Sequence, residues 1–401
     1  MIIKRQWKEL QIKLAKRRHC HGAVLLPNNR VLIIGGNRHG VNPFITDPPE
    51  VLDINNNKVT LIMRPDLSSK RIFSHALVVT NNYVYVIGGV NALNAVERIN
   101  INIDDPTTKA ESVAPLNIPR WGSASTVHNG TIFVFGGDSP ESLGASPVFS
   151  QSSVEFLTTS TTRTTKSTTK MTKYNLSTES EWRFIASSMA TPRTYHCAVT
   201  IGDTIYIIGG CTNSYDYLKH KQTYDHLDSV EMFDTSSQIF RKGPTLPMPM
   251  SGMSAVVVGK LIVIIGGNTT DFKPIGHSYV LDTTAADPQW QKIDIPLQKP
   301  RWGHTAVCID NNKLYVFGGS DGSNIGLTST SIETIAIQDF LPPYEWKKHM
   351  ITSMQKPAKI GGDHGKNNCS IHRIWKSILH YRCAMFGRSK EQESEKAKLF
   401  K

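Results

Sequence analysis

The sequence predicts an all-β fold, a six-bladed β-propeller in which four-stranded sheets stand as blades around a ring. Three observations predict it. A glycine pair closes an apolar run six times along the chain. A hairpin leads into each pair at nearly constant register. A glutamate-bearing strand and then a tryptophan-bearing strand follow, and the tryptophan register recurs near the first residue.

The hairpins come first. The runs VLIIGG (Gly35-Gly36), VYVIGG (Gly88-Gly89), IFVFGG (Gly136-Gly137), IYIIGG (Gly209-Gly210), IVIIGG (Gly266-Gly267) and LYVFGG (Gly318-Gly319) are spaced by 53, 48, 73, 57 and 52 residues. Periods near this length mark propeller blades or solenoid units. Upstream, His21, His75, Ser123, His196, Met253 and His304 precede the first glycine by 13 or 14 residues. The two longer copies carry one extra residue in the turn, LPNNRVL and IDNNKLY, where the others have NN, NG, GD or GK, the chemistry of two-residue hairpin connections. Near-continuous apolar strands suit sheets covered on both faces by neighbouring blades.

The third strands read PEVLDI, AVERINI, SVEFL, SVEMFD, SYVLD and SIETIAI, most with a glutamate. The fourth are EWRFI and QWQKI, with YEWKKH for the last unit. Trp182 and Trp290 precede Arg193 and Arg301 by eleven residues, and Trp7 precedes Arg18 by the same eleven. The start of the chain therefore reads as an outer strand that completes the last blade. Trp346 offers a second candidate for that role, and the register favours Trp7.

The glycine pair, the spaced aromatic and the tryptophan resemble the kelch repeat, and the six units cover residues 7–349. The resemblance implies a six-bladed kelch β-propeller over residues 1–349. LTTSTTRTTKSTTKMTK, residues 157–173, explains the 73-residue interval as a Thr/Ser-rich insert without apolar periodicity. Residues 350–401 read as a basic tail with an amphipathic helix at about 371–386. Cys369, His372, His380 and Cys383 in that tail invite a zinc reading. On one helix, however, the two cysteines stand roughly 21 Å apart, too far for one metal.

Composition bounds the function. The chain has 401 residues, 39% hydrophobic and 19% charged, with no apolar run of eighteen residues and no apolar signal-peptide core. A cytoplasmic protein is expected, with the nucleus as the other compartment. The net charge of +12 sits at the ends: residues 1–22 hold +6 and residues 347–401 hold +9, leaving the body at −3. That argues against a nucleic-acid face on the body and gives the tail an affinity for anionic surfaces. The six cysteines, Cys20, Cys197, Cys211, Cys308, Cys369 and Cys383, read as free thiols.

Arg193-Thr194-Tyr195-His196 is the stretch where chemistry could occur. This stretch resembles part of the copper site of oxidases related to galactose oxidase, which are kelch-like propellers. Blades 1 to 3 offer no second tyrosine at the equivalent place, so no catalytic residue, metal or cofactor is expected. The glutamate, aspartate and histidine spacing of iron-dependent kelch specifier proteins is also missing. A small-molecule enzyme like the sialate mutarotases is the alternative function.

The resemblance to kelch substrate adaptors implies instead a protein-interaction module, an adaptor or scaffold. Its partner would sit around the central channel. Arginines leading into the innermost strands, with aromatic neighbours, would grip an acidic or phosphorylated peptide. The matching residues are Arg18 and His21; Arg71, Phe73 and His75; Arg120 and Trp121; Arg193, Tyr195 and His196; and Arg301, Trp302 and His304. The loop after Gly210, which holds Tyr215, Tyr217 and Tyr224, adds Tyr215 and Tyr217 to this set. Actin and ubiquitin-ligase components are partners of other kelch proteins for which no residue signature is found.

Overall fold

Alternation along short strands sets the architecture. In blade 4, Cys197–Ile201 pairs antiparallel with Thr204–Ile208, and Gly202 turns the chain at φ +59°. In blade 3, Asn129 and Gly130 both take positive φ, 47° and 75°, the backbone of a tight hairpin that matches strand twist. The second strands, Arg30–Ile34, Tyr83–Ile87, Thr131–Phe135, Thr204–Ile208, Leu261–Ile265 and Lys313–Phe317, bury at least four consecutive residues. Only a strand covered on both faces does so.

The structure, a computed structural model, describes residues 5–37, 48–55, 58–61, 76–80, 82–105, 108–140, 148–159, 181–216, 221–269, 273–322 and 328–341. These all belong to the unit Met1–Ser353; the second unit is Met354–Lys401. The tail helix, the zinc residues, Trp346 and most of the Thr/Ser-rich insert lie outside the described residues.

Six four-stranded antiparallel sheets are present. Their innermost strands are Gly22–Leu26, Ala76–Val79, Ala124–His128, Cys197–Ile201, Ser254–Val258 and Thr305–Ile309. Each neighbours two others, and the sixth returns to the first. Six apolar clusters fill the interfaces, one between each pair of blades: Phe135 with Ile207 joins blades 3 and 4, and Phe317 with Val31 joins blades 6 and 1. The ring is closed by the N-terminal strand: Lys8–Glu9 pairs with Ile332–Ala336 as the outermost strand of blade 6. Trp7 beside it is fully buried and donates its indole N–H to the Ile295 carbonyl at 3.2 Å. Trp182 and Trp290 make the same reach, to Ala114 and Pro244 at 2.9 Å. Each tryptophan thus staples its blade to the carbonyl just beyond the outer strand of the blade before it.

The repeated glutamate has a partner. Arg18–Glu50, Arg120–Glu155, Arg193–Glu231 and Arg301–Glu333 are buried ion pairs in blades 1, 3, 4 and 6. Each arginine also donates to the carbonyl of the first glycine of its blade, Gly35, Gly136, Gly209 or Gly318. Each glutamate accepts two backbone N–H groups from the segment that arrives from the preceding blade, such as Ala190 and Thr191 on Glu231. One charged pair thereby fixes three segments, and in blades 3, 4 and 6 the arginine Nε is also bonded, to the carbonyl two residues before it.

The repeated histidine is a wedge. A Cβ added to Gly136 would come within 3.0 Å of His196 Cε1 from the next blade, and one added to Gly318 within 2.9 Å of His21 Cε1. In blades 1, 3, 4, 5 and 6 the second glycine of the pair faces its own blade's residue: a Cβ on Gly210 would lie 2.7 Å from His196 Cβ, and Gly210 holds φ +93°. Both glycines are therefore required by close approach. Burial first, and then the charge of Arg193 or Arg301, keeps these imidazoles neutral: His196 is held well below its ordinary range and His304 at about 3.

An unfolded histidine titrates near 6.5, so below that pH the unfolded chain alone takes up the proton. The stability is complete above about pH 6.5 and falls on acidification towards the folded value, by up to ~1.4 kcal/mol per pH unit for each histidine. Met253 fills the same register in blade 5, with Cε against Gly209. The His196→Met/His304→Met variant is therefore expected to show a flatter fall in urea midpoint between pH 6.5 and 4. Parallel curves for variant and wild type would refute this assignment.

Two ribbons rise beyond the blades, and neither was foreseen. Asp138–Pro140 pairs with Val148–Ser150, and Cys211–Asp216 pairs with Lys221–His226. The stretch after Gly210 is thus a hairpin rather than an irregular loop; the pairing Ser214↔Thr223 adds a hydroxyl contact of 2.7 Å across it.

Candidate binding rim

In blades 1, 3, 4, 5 and 6 the segment leading into the innermost strand runs beside the residue that follows the glycine pair. The two exchange both backbone hydrogen bonds: His19 with Asn37, Trp121 with Asp138, Thr194 with Cys211, Ser251 with Asn268 and Trp302 with Ser320. These two segments therefore share one face, as the resemblance implied.

One residue further on, the backbone turns left-handed at Cys20, Gly122, Tyr195, Gly252 and Gly303, with φ between 51° and 65°. These residues are linked from blade to blade. Cys20 N–H donates to Gly303 O at 2.6 Å, Gly303 to Gly252 at 2.8 Å, Gly252 to Tyr195 at 2.9 Å and Tyr195 to Gly122 at 2.9 Å. The result is a collar of main-chain hydrogen bonds. Tyr195 holds φ +51° where three other blades use glycine. A tyrosine in that region costs about 1–2 kcal/mol, a strain that needs a reason in its side chain.

The expected contact residues now divide. Trp121, Tyr195 and Trp302 are half-buried and stand on the collar. Trp302 lies edge-on to His19 of blade 1, with ring centroids 5.5 Å apart. Arg18, Arg120, Arg193 and Arg301 do not belong to the contact set, and this is a correction. They are fully or almost fully buried, and their guanidinium groups are occupied by Glu50, Glu155, Glu231 and Glu333. His21, His196 and His304 are likewise buried between blades. Arg71, Phe73, His75 and Tyr217 lie outside the described residues, and Tyr215 is described only through its backbone in the second ribbon.

Asp138 was missed. It is 1% exposed, and burial pushes its carboxyl up to about 6, opposed by hydrogen bonds from Ser150, Asn213 and Thr194. Ser150 Oγ donates to Oδ1 at 2.8 Å and Asn213 Nδ2 to Oδ2 at 3.3 Å, so this carboxyl joins the two ribbons. The signal was present in the sequence as GGD among GGN, GGV, GGC, GGN and GGS.

Beside it, burial raises the Cys211 thiol far above its ordinary range, so it is no nucleophile. Cys197, Cys211 and Cys308 are free thiols. Among the described residues, no three His, Cys, Asp or Glu side chains gather as a metal set, and no helix is long and apolar enough to cross a membrane.

Comparison with known proteins agrees with this geometry. The model of the KLHDC2/KLHL20/DRC7 Kelch-repeats domain matches residues 74–319 and 196–365. The chain is 26% identical over 208 residues to Kelch repeat and BTB domain-containing protein 12 of Danio rerio, covering 48% of this chain and 32% of that protein. It is 30% identical over 158 residues to Kelch-like protein 41b of Danio rerio, covering 39% and 23%. It is also 39% identical over 67 residues to Adagio-like protein 1 of Oryza sativa subsp. japonica, covering 16% and 11%. The chain thus spans a third or less of the length of these relatives.

Proposed function

The chain belongs to the kelch-repeat family, and from that premise we propose that it is a protein-interaction module, without catalysis of its own, that seats a protein or peptide partner on the collar face. The observation that carries the reading is Tyr195. The fold accepts glycine at this register in three blades, yet here it holds a half-buried tyrosine in a strained conformation, on a collar that also carries Trp121 of the neighbouring blade 3 and Trp302 of blade 6. Rigid aromatics on a pre-organised main-chain collar lose little entropy on binding and make efficient anchors. The four arginines are already neutralised, so they give no support to a phosphorylated or acidic partner.

Substitutions that the protein itself uses elsewhere test the reading. Ser251 and Gly252 occupy these registers in blade 5. The Trp121→Ser/Tyr195→Gly/Trp302→Ser variant should therefore keep its fold, with Tyr195→Gly relieving strain. Affinity capture on the full chain, read by quantitative mass spectrometry, is expected to lose its specific partners by at least about tenfold with an unchanged melting temperature. Equal recovery by both proteins would remove the collar as the binding face.

A further inference from the structure

We propose that Asp138 forms the floor of a subsite for a cationic side chain, a lysine or arginine of the partner, walled by Trp121 and Tyr224. This deepens the collar-face reading and rests on it.

The fold's own treatment of buried carboxylates supplies the argument. Glu50, Glu155, Glu231 and Glu333 are buried, and an arginine neutralises each. Asp138 is equally buried, but its donors are neutral groups: the Ser150 and Thr194 hydroxyls and the Asn213 amide. Among the described residues no lysine, arginine or histidine forms an ion pair with it. A buried carboxylate without a cation is costly, and it is found here on the face where a partner is expected.

The registers set its surroundings. Trp121 is directly opposite Asp138 in a bonded pair, so their side chains rise on the same side. Tyr224 is opposite Asn213 in the blade 4 ribbon, and Asn213 reaches the carboxylate. Tyr224 is 37% exposed and Trp121 half-buried. Two aromatic residues at registers beside an anion match the chemistry of a lysine or arginine head group.

Among the described residues, the other titratable groups near it are Cys211, Tyr224, His226 and Asp225. Burial raises the Cys211 thiol and the Tyr224 hydroxyl, which keeps both neutral below pH 8, and burial lowers the His226 imidazole. Asp225, on the same ribbon, is the remaining charged neighbour. A carboxyl titrating at about 6 is ionised at pH 7.5 and protonated at pH 5, whereas lysine and arginine stay charged at both.

The test is selection from a random-peptide display library on the full chain at pH 7.5 and pH 5. Wild type is expected to enrich lysine or arginine about tenfold at one peptide position at pH 7.5. That preference should vanish at pH 5, and in Asp138→Asn at either pH. The wild-type pH comparison decides the matter even if Asp138→Asn does not fold. Peptides with acidic or no charge preference, or a basic preference that survives in Asp138→Asn, overturn the subsite. In that case, loss of those peptides from the Trp121→Ser/Tyr195→Gly/Trp302→Ser variant leaves the collar reading standing. Enrichment of no peptide over background, or of the same peptides by wild type and that collar variant, overturns both readings.

Discussion

Glu231→Gln is expected to lower the unfolding free energy by about 3–5 kcal/mol, because it leaves the Arg193 guanidinium buried without its counter-charge. Arg193 is 0% exposed and donates to Glu231 Oε1 at 2.7 Å, so water cannot replace the lost partner. The glutamine also weakens acceptance of the Ala190 and Thr191 N–H groups. Blade 5 shows how the same place is built without charge. There Met250 stands at the arginine register and Tyr279 at the glutamate register, both buried in one apolar cluster. Pro247 stands where Ala190 donates in blade 4, and a proline has no N–H to satisfy. The three positions have changed together.

Transplanting that solution as Ala190→Pro/Arg193→Met/Glu231→Tyr is expected to recover stability to within about 2 kcal/mol of wild type, since an apolar set of similar volume can replace a buried ion pair. Urea unfolding of the four proteins, Glu231→Gln, Arg193→Met, the triple variant and wild type, checks both statements. If Glu231→Gln costs less than about 1 kcal/mol, the pair is not the fastener described here.

That example also shows where the sequence stops being legible. Six glycine pairs, their hairpins and the eleven-residue step from Trp7 to Arg18 were enough to place every blade, because closing a ring repeats local patterns at fixed register. The arginines were equally conspicuous, and they were read as contacts for a partner. Their position gives the face, but only the fold shows that Glu231 and its counterparts lie beneath that face to neutralise them. Packing and binding leave the same periodic trace. The breaks in the period proved more informative. Tyr195 sits where three other blades have glycine, and Asp138 lacks the cation that Glu50, Glu155, Glu231 and Glu333 have. Asp138 was overlooked because its significance depends on Ser150 and on Asn213 of a different blade, the latter 75 residues away in the chain.

Removal of residues 1–10 is expected to produce the other large effect, an opening of the ring at blade 6. Those residues supply the outer strand, with Lys8 opposite Thr334 and Glu9 opposite Glu333, and the Leu10 N–H donates to Ile332 O at 2.8 Å. They also supply Trp7, which is fully buried, meets Phe340 edge-on at 5.4 Å between ring centroids, and accepts the Gln298 side-chain amide on its carbonyl at 2.6 Å. Trp7→Ala alone should cost about 3–5 kcal/mol, the range for emptying a tryptophan site in a core. The deletion adds the exposed edge of Ile332–Ala336, a template for pairing with other chains, so aggregation should accompany the loss of stability. A synthetic peptide of residues 1–10 added to the shortened chain should restore the melting temperature in a concentration-dependent way, because it binds the folded state alone. A shortened chain that melts at the wild-type temperature without the peptide would show that another strand completes blade 6.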